Sequence, residues 1–354
     1  MRSSFRHAPS RTLTAILLAS SAAFFASPAL AQNLLPENPF GDGLDVSGVR
    51  LTVGVLTSSN TAFLDFAETS GAFEDTPYEV EWSSFNGAAA ASEALHAGAL
   101  DLSVAFNFSA PVIIQANAGR PWTEEDRPFV IIGAEPANPL SATTITVHPE
   151  SDIQTVNDLA GHSITFARGT TGHYLFVLAA KDAGLPIEDV EVIPLTITEA
   201  LAAFTGRSID SIATGTSNAR KLIASGDGRI LTTSEGLYQS YAWLLARPEI
   251  LEDPRNEAVV ADILLRLQKV NEWQAANLDG EATDIYARTS GQTLDDARIS
   301  VEEALTSFAP ITPEVIASYQ DQVDVFLEAG VTQSHVDANI AFDTRFNALY
   351  NQEN

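Results

Sequence analysis

The sequence predicts an α/β protein of two lobes, each a mainly parallel sheet flanked by helices, with a helical C-terminal region. Three observations predict this fold class. β-rich apolar runs alternate with helical patterning between residues 50 and 134, the alternation recurs between residues 143 and 232, and strand signals vanish from Pro254 onward. Such alternation is typical of parallel sheets covered by helices. Two such units predict a cleft between the lobes.

The first unit opens with a β-rich apolar run at residues 50–56, which ends in a polar loop beginning at Thr57. Polar residues after an apolar run are typical of the end of a strand. Further strands are predicted at residues 78–82, 102–106 and 129–134, and helices at residues 62–72 and 88–97.

The second unit repeats this pattern. Strands are predicted at residues 143–147, 163–166, 190–194, 209–214 and 229–232, and helices at residues 172–183 and 199–204. A second sheet covered by helices is the simplest account of the repeat.

The C-terminal region carries helical apolar spacing at residues 258–278, 294–308, 313–329 and 336–349. These helices must cover an apolar surface, so the chain is expected to cross back near residues 241–246 and lay them on the first unit. The predicted lobes are residues 32–138 with 247–354, and residues 139–246 including the crossover segments. Hinged lobes that close on a ligand are a known way to bury a small molecule.

The first 31 residues have the pattern of a secretory signal peptide. Three arginines precede an apolar run at residues 13–25, and Ala29 and Ala31 form a small-residue cleavage pattern before Gln32. The run is too short for a spanning helix, although a retained membrane anchor is the alternative. The chain has no cysteine to carry a lipid. The sequence therefore predicts a periplasmic protein that is not lipidated.

Composition and motifs argue against several function classes. A net charge of −27 disfavours nucleic acid and anionic lipid as partners. The absence of cysteine excludes disulfides, thiolate nucleophiles and cysteine-based zinc sites. The sequence shows none of the hydrolase, P-loop or dinucleotide motifs. We expect no catalytic residue, cofactor or metal, with an exported hydrolase as the alternative.

The segment from residue 153 to residue 185 resembles the aliphatic sulfonate, nitrate and taurine type of substrate-binding protein that serves ABC importers. The similarity is carried by residues 153–162, 164–166, 169–175 and 183–185. Weaker similarity lies at residues 81–87, 133–136 and 326–331. The resemblance implies a type II periplasmic binding protein fold. It also implies a small-molecule ligand and an inner-membrane permease and ATPase as partners, and we expect a monomer.

The sequence departs from that family at a segment that is expected to determine ligand specificity. Sulfonate-type members often carry a Trp-Asp-Pro-like stretch after the strand predicted at residues 209–214, whereas this chain has small hydroxyl residues at 214–218. The expected pocket is therefore larger or more polar.

The turn between the strand at 163–166 and the following helix is the leading candidate for an anion site. Backbone N–H groups and the helix dipole at such a turn suit sulfonate, carboxylate or nitrate oxygens. An ordinary N-cap and a structural histidine are the alternatives. The candidate residues are Gly169, Thr170, Thr171, Gly172 and His173.

Other candidates follow strand ends, where open α/β sheets bind ligands. These are Thr57, Ser58, Asn107, Ser109, Thr214 and Thr216. Glu135 is predicted to bind an ammonium group or to be a solvated hinge carboxylate. Tyr241 is predicted to line the cleft, although aromatic residues more often fill a core.

Together with the predicted export and the two predicted lobes, the resemblance implies the periplasmic solute-binding component of an ABC importer. The expected ligand is a small anionic or zwitterionic organic solute, an aliphatic sulfonate or taurine-like compound. Nitrate, or a neutral or cationic pyrimidine-type ligand held by Glu135 and aromatic residues, is the alternative.

Overall fold

The computed structural model describes residues 44–56, 62–85, 87–106 and 108–350. The predicted signal peptide lies outside these residues. Within them, no helix is both long enough and apolar enough to cross a bilayer.

The strands of the described residues form two five-stranded sheets. In chain order they are β1 (Arg50–Leu56), β2 (Glu79–Phe85), β3 (Leu102–Phe106), β4 (Val130–Pro136), β5 (Thr143–Val147), β6 (Ser163–Thr165), β7 (Glu191–Val192), β8 (Ser211–Gly215), β9 (Arg229–Thr233) and β10 (Tyr241–Ala246). The first sheet has the order β2-β1-β3-β10-β4, and the second has the order β7-β6-β8-β5-β9. Nine of these positions agree closely with the strands that the sequence predicts, and β10 is the exception.

Each sheet is mixed, with one strand that runs against the other four. In the first sheet β1 is parallel to β2 and β3, whereas β10 is antiparallel to both β3 and β4. In the second, β6 is parallel to β7 and β8, whereas β5 is antiparallel to β8 and β9. The odd strand is in each case the first strand after the chain has crossed between the sheets.

The helices of the described residues are α1 (Phe63–Thr69), α2 (Ala88–His96), α3 (Ala110–Ala116), α4 (Thr171–Ala183), α5 (Ile197–Thr205), α6 (Thr216–Ala224), α7 (Pro254–Ala276), α8 (Glu281–Ser290), α9 (Leu294–Ala304) and α10 (Pro313–Glu328). Capping residues determine where several of these helices begin or end. Thr196 and Glu199 form a capping box at the start of α5, and Gly184 takes the left-handed conformation after α4. The sequence interpretation missed α3, α6 and α8, which are short or weakly patterned.

Two predictions about the second half of the chain are wrong. Residues 241–246, expected only as a crossing, form β10, because both backbone edges of this segment pair within the first sheet. Residues 336–349 form no long helix but two 3-10 turns, Ala338–Ala341 and Asn347–Leu349. Phe342 between them bridges Ile131 of β4, so the segment covers the outer edge of the first sheet.

The C-terminal helices pack on both units rather than on the first alone. Val260 and Ile263 of α7 belong to the same buried apolar cluster as Val53 of β1. α10 also meets α4 of the second unit: the ring of Phe326 lies 5.1 Å from that of His173, and Lys181 pairs with Glu328 at 2.5 Å. The expected placement of the helical tail was therefore incomplete.

Gly172 allows α4 to lie directly on β8. A Cβ atom built on Gly172 would lie 2.5 Å from the backbone oxygen of Ala213, which cannot move without disturbing the second sheet. This close approach positions the first turn of α4.

We therefore predict that Gly172→Ala lowers the free energy of unfolding by about 2 kcal/mol, because overpacking forces the backbone apart. The matched control is Gly87→Ala, where φ is 176° and a Cβ meets no described atom within 4 Å. Thermal unfolding of the two variants measures the difference, and an equal effect on both would contradict the prediction.

Candidate functional site

A cavity of about 360 Å³ opens between the two units. It lies where strands of both sheets end, as expected for ligand sites in open α/β sheets. Val104 and Glu135 come from the first sheet, and Thr143 and Gly215 from the second. Helices α7, α8 and α9 close one side through Leu267, Asn271, Gln274, Tyr286 and Glu303.

The second-unit wall is formed by the first turns of two helices. Thr171 begins α4 and Ser217 lies in the first turn of α6, and both line the cavity. Gly215 precedes α6 and supplies no side-chain cap to it. Unpaired N–H groups and the positive end of the helix dipole favour negative charge at such positions. This wall is therefore suited to an anionic group.

The turn before α4 is held by bonds within itself. Gly169 has φ +70°, a conformation that favours glycine, and its N–H donates to Nδ1 of His173 at 3.3 Å. The hydroxyl of Thr170 donates to the oxygen of Ala167 at 2.7 Å and accepts from the N–H of His173 at 3.5 Å. Thr171, in contrast, lines the cavity.

His173 is buried behind the turn. Its ring stacks on Phe166 at 4.6 Å and contacts Phe326. Burial, reinforced by Arg168, lowers the pKa of His173 to about 4. The ring is therefore neutral near pH 7, which agrees with Nδ1 acting as an acceptor.

The first-unit wall carries a half-buried carboxylate, Glu135, at the end of β4. Its Oε1 accepts from Nδ2 of Asn271 at 2.9 Å, and Gln274 donates in turn to Oδ1 of Asn271 at 3.5 Å. Burial raises the pKa of Glu135 to about 7, and the bond from Asn271 only partly opposes this. Glu135 is therefore close to half ionised at neutral pH.

An ion pair joins the units beside the cavity. Arg220 of α6 bonds to Glu303 of α9. Burial raises the pKa of Glu303 and the positive charge of Arg220 opposes this shift. A second cavity, of about 440 Å³, adjoins the first through Ser217 and is lined by Arg220 and Lys221. The side chains of Arg220 and Lys221 therefore lie next to the first cavity.

Aromatic side chains form the floor next to the crossover segments. Tyr241 lines the cavity and stacks on Trp243 at 5.2 Å. Trp243 is fully buried and donates its Nε1–H to the oxygen of Phe108 at 2.9 Å. The hydroxyl of Tyr238 donates to the oxygen of Thr171 at 3.2 Å, which ties the second crossing to the start of α4.

The structure brings three of the predicted site residues together around the cavity: Glu135, Thr171 and Tyr241. Gly169, Thr170, Gly172 and His173 stand behind Thr171 and shape its turn. Thr57, Ser58 and Asn107 lie outside the described residues.

Three further predicted residues are tied into the framework. Ser109 is buried at the start of α3, and its Oγ has no partner within the described part of the chain. Thr214 accepts from Asn218 at 3.0 Å, and the hydroxyl of Thr216 donates to the oxygen of Ala142. None of the three lines the cavity in the described residues.

The sequence interpretation missed Asn271, Gln274, Ser217 and Glu303. Ser217 follows the end of β8, so the strand-end rule that selected Thr214 and Thr216 extends to it. Asn271 and Gln274 are polar residues three positions apart on α7. Many helices carry such pairs, so this spacing alone indicates no binding site. The described residues contain no group of three or more His, Asp and Glu side chains suited to a metal.

Comparisons with known proteins agree with this architecture. The model of the NMT1-like family matches residues 46–282. A protein of Escherichia coli (strain K12) named for binding aliphatic sulfonates is 27% identical over 260 residues, covering 73% of this chain and 77% of that protein.

Two solved structures share the fold. The periplasmic aliphatic sulphonate binding protein of Escherichia coli has a TM-score of 0.73 and 25% identity, covering 84% of this chain and 92% of that chain. The alkanesulfonate-binding protein of Xanthomonas axonopodis pv. citri has a TM-score of 0.71 and 22% identity, covering 84% of this chain and 99% of that chain. The predicted fold class and family resemblance are confirmed.

The pKa of Glu135 predicts how stability depends on pH. Burial raises this pKa from 4.5 to about 7, so the folded protein holds the proton more tightly than the unfolded chain. As the pH rises from 4.5 to about 7, the contribution of Glu135 to the free energy of unfolding therefore decreases, and it stays low at higher pH. Glu135→Gln should be more stable than the wild type near pH 8, by up to about 3 kcal/mol.

Thermal unfolding of both proteins across this pH range measures the difference. The control is Glu191→Gln, which removes one exposed carboxylate on the edge of the second sheet. The prediction would be contradicted if the unfolding temperatures of Glu135→Gln and the wild type differed by the same amount from acid to alkaline pH.

Proposed function

Because the chain belongs to the NMT1-like family, we propose that it is the periplasmic solute-binding component of an ABC importer. Its ligand is a small anionic or zwitterionic organic solute, an aliphatic sulfonate or taurine-like compound. The observation that carries this proposal is the cavity between two α/β units, with the first turns of α4 and α6 on one wall.

The cavity chemistry supports a ligand with an oxyanion at one end. Thr171 and Ser217 offer hydroxyl groups beside two helix N-termini, so a sulfonate would receive N–H and O–H donors without a contacting cation. Phe63, Leu267 and Phe308 supply apolar surface for a short carbon chain. The names of the two Escherichia coli matches support the same class of ligand.

The topology supports closure about two crossing segments. Residues 137–142 lead from β4 to β5, and residues 234–240 lead from β9 back to β10. They run side by side, since the N–H of Ala137 donates to the oxygen of Ser240 at 2.8 Å. Residues 32–138 with 247–354, and residues 139–246, remain the proposed lobes, except that β10 is paired in the first sheet. The pair between Arg220 and Glu303 would hold the closed form.

The proposal includes a location in the periplasm and partners in the inner membrane. The proposed signal peptide at residues 1–31 would deliver a periplasmic, unlipidated chain, and an inner-membrane permease and ATPase would take the ligand from it. The protein would act as a monomer that returns its ligand unchanged. Mass spectrometry of the ligand after incubation with the protein tests this last point, since a chemically altered ligand would indicate an enzyme.

We predict micromolar binding of short alkanesulfonates or taurine by titration calorimetry of the purified protein. The same panel includes nitrate, simple carboxylates and a pyrimidine. A preference for the pyrimidine would favour a neutral or cationic ligand held at Glu135. Failure of every sulfonate to bind would overturn the proposed ligand class.

We also predict that Thr171→Val weakens sulfonate binding about tenfold or more, because a hydrogen bond to a charged group contributes about 1.5–3 kcal/mol. The matched control is Thr170→Ser, which keeps the hydroxyl that caps α4 and should leave affinity unchanged. Calorimetry of both variants measures the effect. Equal affinities of Thr171→Val and the wild type would place the anion elsewhere.

A further inference from the structure

Glu135 is an acidic side chain in a cavity otherwise suited to an anion. It lines this cavity from the first-unit side, whereas Thr171 and Ser217 line it from the second-unit side. A simple alkanesulfonate would bring a second negative charge into the same enclosed space. Like charges in a small cavity of low dielectric constant repel each other strongly. Ionised Glu135 therefore disfavours a ligand that carries only negative charge.

The carboxylate has unused hydrogen-bonding capacity. A carboxylate accepts about four hydrogen bonds, and in the described residues Glu135 receives one, from Asn271 to Oε1. No Lys, Arg or His of the described residues forms an ion pair with it. Buried carboxylates are normally paired or bonded to several donors. Glu135 thus lacks a cationic partner among the described residues.

The groups around Glu135 supply no positive charge in its place. Helix α7 presents the amides of Asn271 and Gln274, and β10 presents Tyr241. Helix α9 presents Glu303, whose charge is already paired with Arg220. Tyr350 is close enough that the negative charge of Glu135, after burial, raises its pKa. Each neighbour is neutral, acidic or already compensated.

We propose that Glu135 is a cation subsite and that the ligand is an aminoalkanesulfonate. Its sulfonate lies at the first turns of α4 and α6, and its terminal ammonium group bonds to the free oxygen of Glu135. This inference rests on the proposed function and narrows it, because it selects aminosulfonates over plain alkanesulfonates. The ammonium group compensates the carboxylate, and the ligand as a whole enters without net charge.

Protonation gives this subsite a measurable signature. With its pKa near 7, Glu135 is partly protonated in the empty protein at neutral pH. An ammonium group at bonding distance favours the ionised form and lowers that pKa. Binding of an aminosulfonate near pH 7 should therefore release a fraction of a proton, and its affinity should rise from about pH 6 to about pH 8.

The test compares ligands that differ only in the amino group: taurine against ethanesulfonate, and homotaurine against propanesulfonate. Calorimetry should show that the wild type prefers the amino compound of at least one pair about tenfold or more. Glu135→Gln keeps an oxygen that can accept from Asn271 but carries no charge. This variant should lose the preference, whereas Glu191→Gln should retain it.

Proton release is followed by repeating the wild-type titration in buffers of different ionisation enthalpy. This measurement requires no variant, so the proposal stays testable even if Glu135→Gln fails to fold. Equal affinities within both ligand pairs, or binding of aminosulfonates without proton release, would overturn the cation subsite and leave the proposed function intact. Binding of no sulfonate at all would instead overturn the proposed function.

Discussion

The pairing of β10 with β3 and β4 determines the relation between the two halves of this protein. The chain leaves the first sheet after β4 and returns to it as β10, which inserts between β3 and β4 in the opposite direction. β5 does the same in the second sheet, between β8 and β9. Each crossing segment is therefore anchored at one end by an internal antiparallel strand, β5 or β10. The cavity forms between them because the neighbouring strands end there.

Aromatic packing stabilises this junction. Trp243 of β10 is fully buried and contacts Phe108, Tyr319 and Phe342, so one side chain joins β10, the start of α3, α10 and the C-terminal segment. Aromatic side chains bury large apolar areas, and their paired rings add to the stabilisation. Tyr241, two residues earlier on the same strand, points to the same side and reaches the cavity. The junction thus supports the wall against which a ligand would lie.

The two walls of the cavity differ in electrostatic character. Helix N-termini on the second unit provide fixed partial positive charge without a titratable group, whereas Glu135 on the first unit provides a charge that depends on pH. At the adjoining cavity, Lys221 stands beside the ion pair of Arg220 and Glu303. A ligand with opposite charges at its two ends fits this division.

The sequence by itself determined every strand except β10, most of the helices and the turn before α4, because apolar periodicity and capping residues act over a few neighbours. It also selected Glu135 after a strand, Thr171 in the turn before a helix and Tyr241 near the return crossing. Only the tertiary structure decided that Trp243 is core, that residues 336–349 cover a sheet edge and that His173 is neutral and buried. Asn271 joins Glu135 across 136 positions of the chain. Such a contact depends on how helices and sheets pack, and no local pattern encodes it.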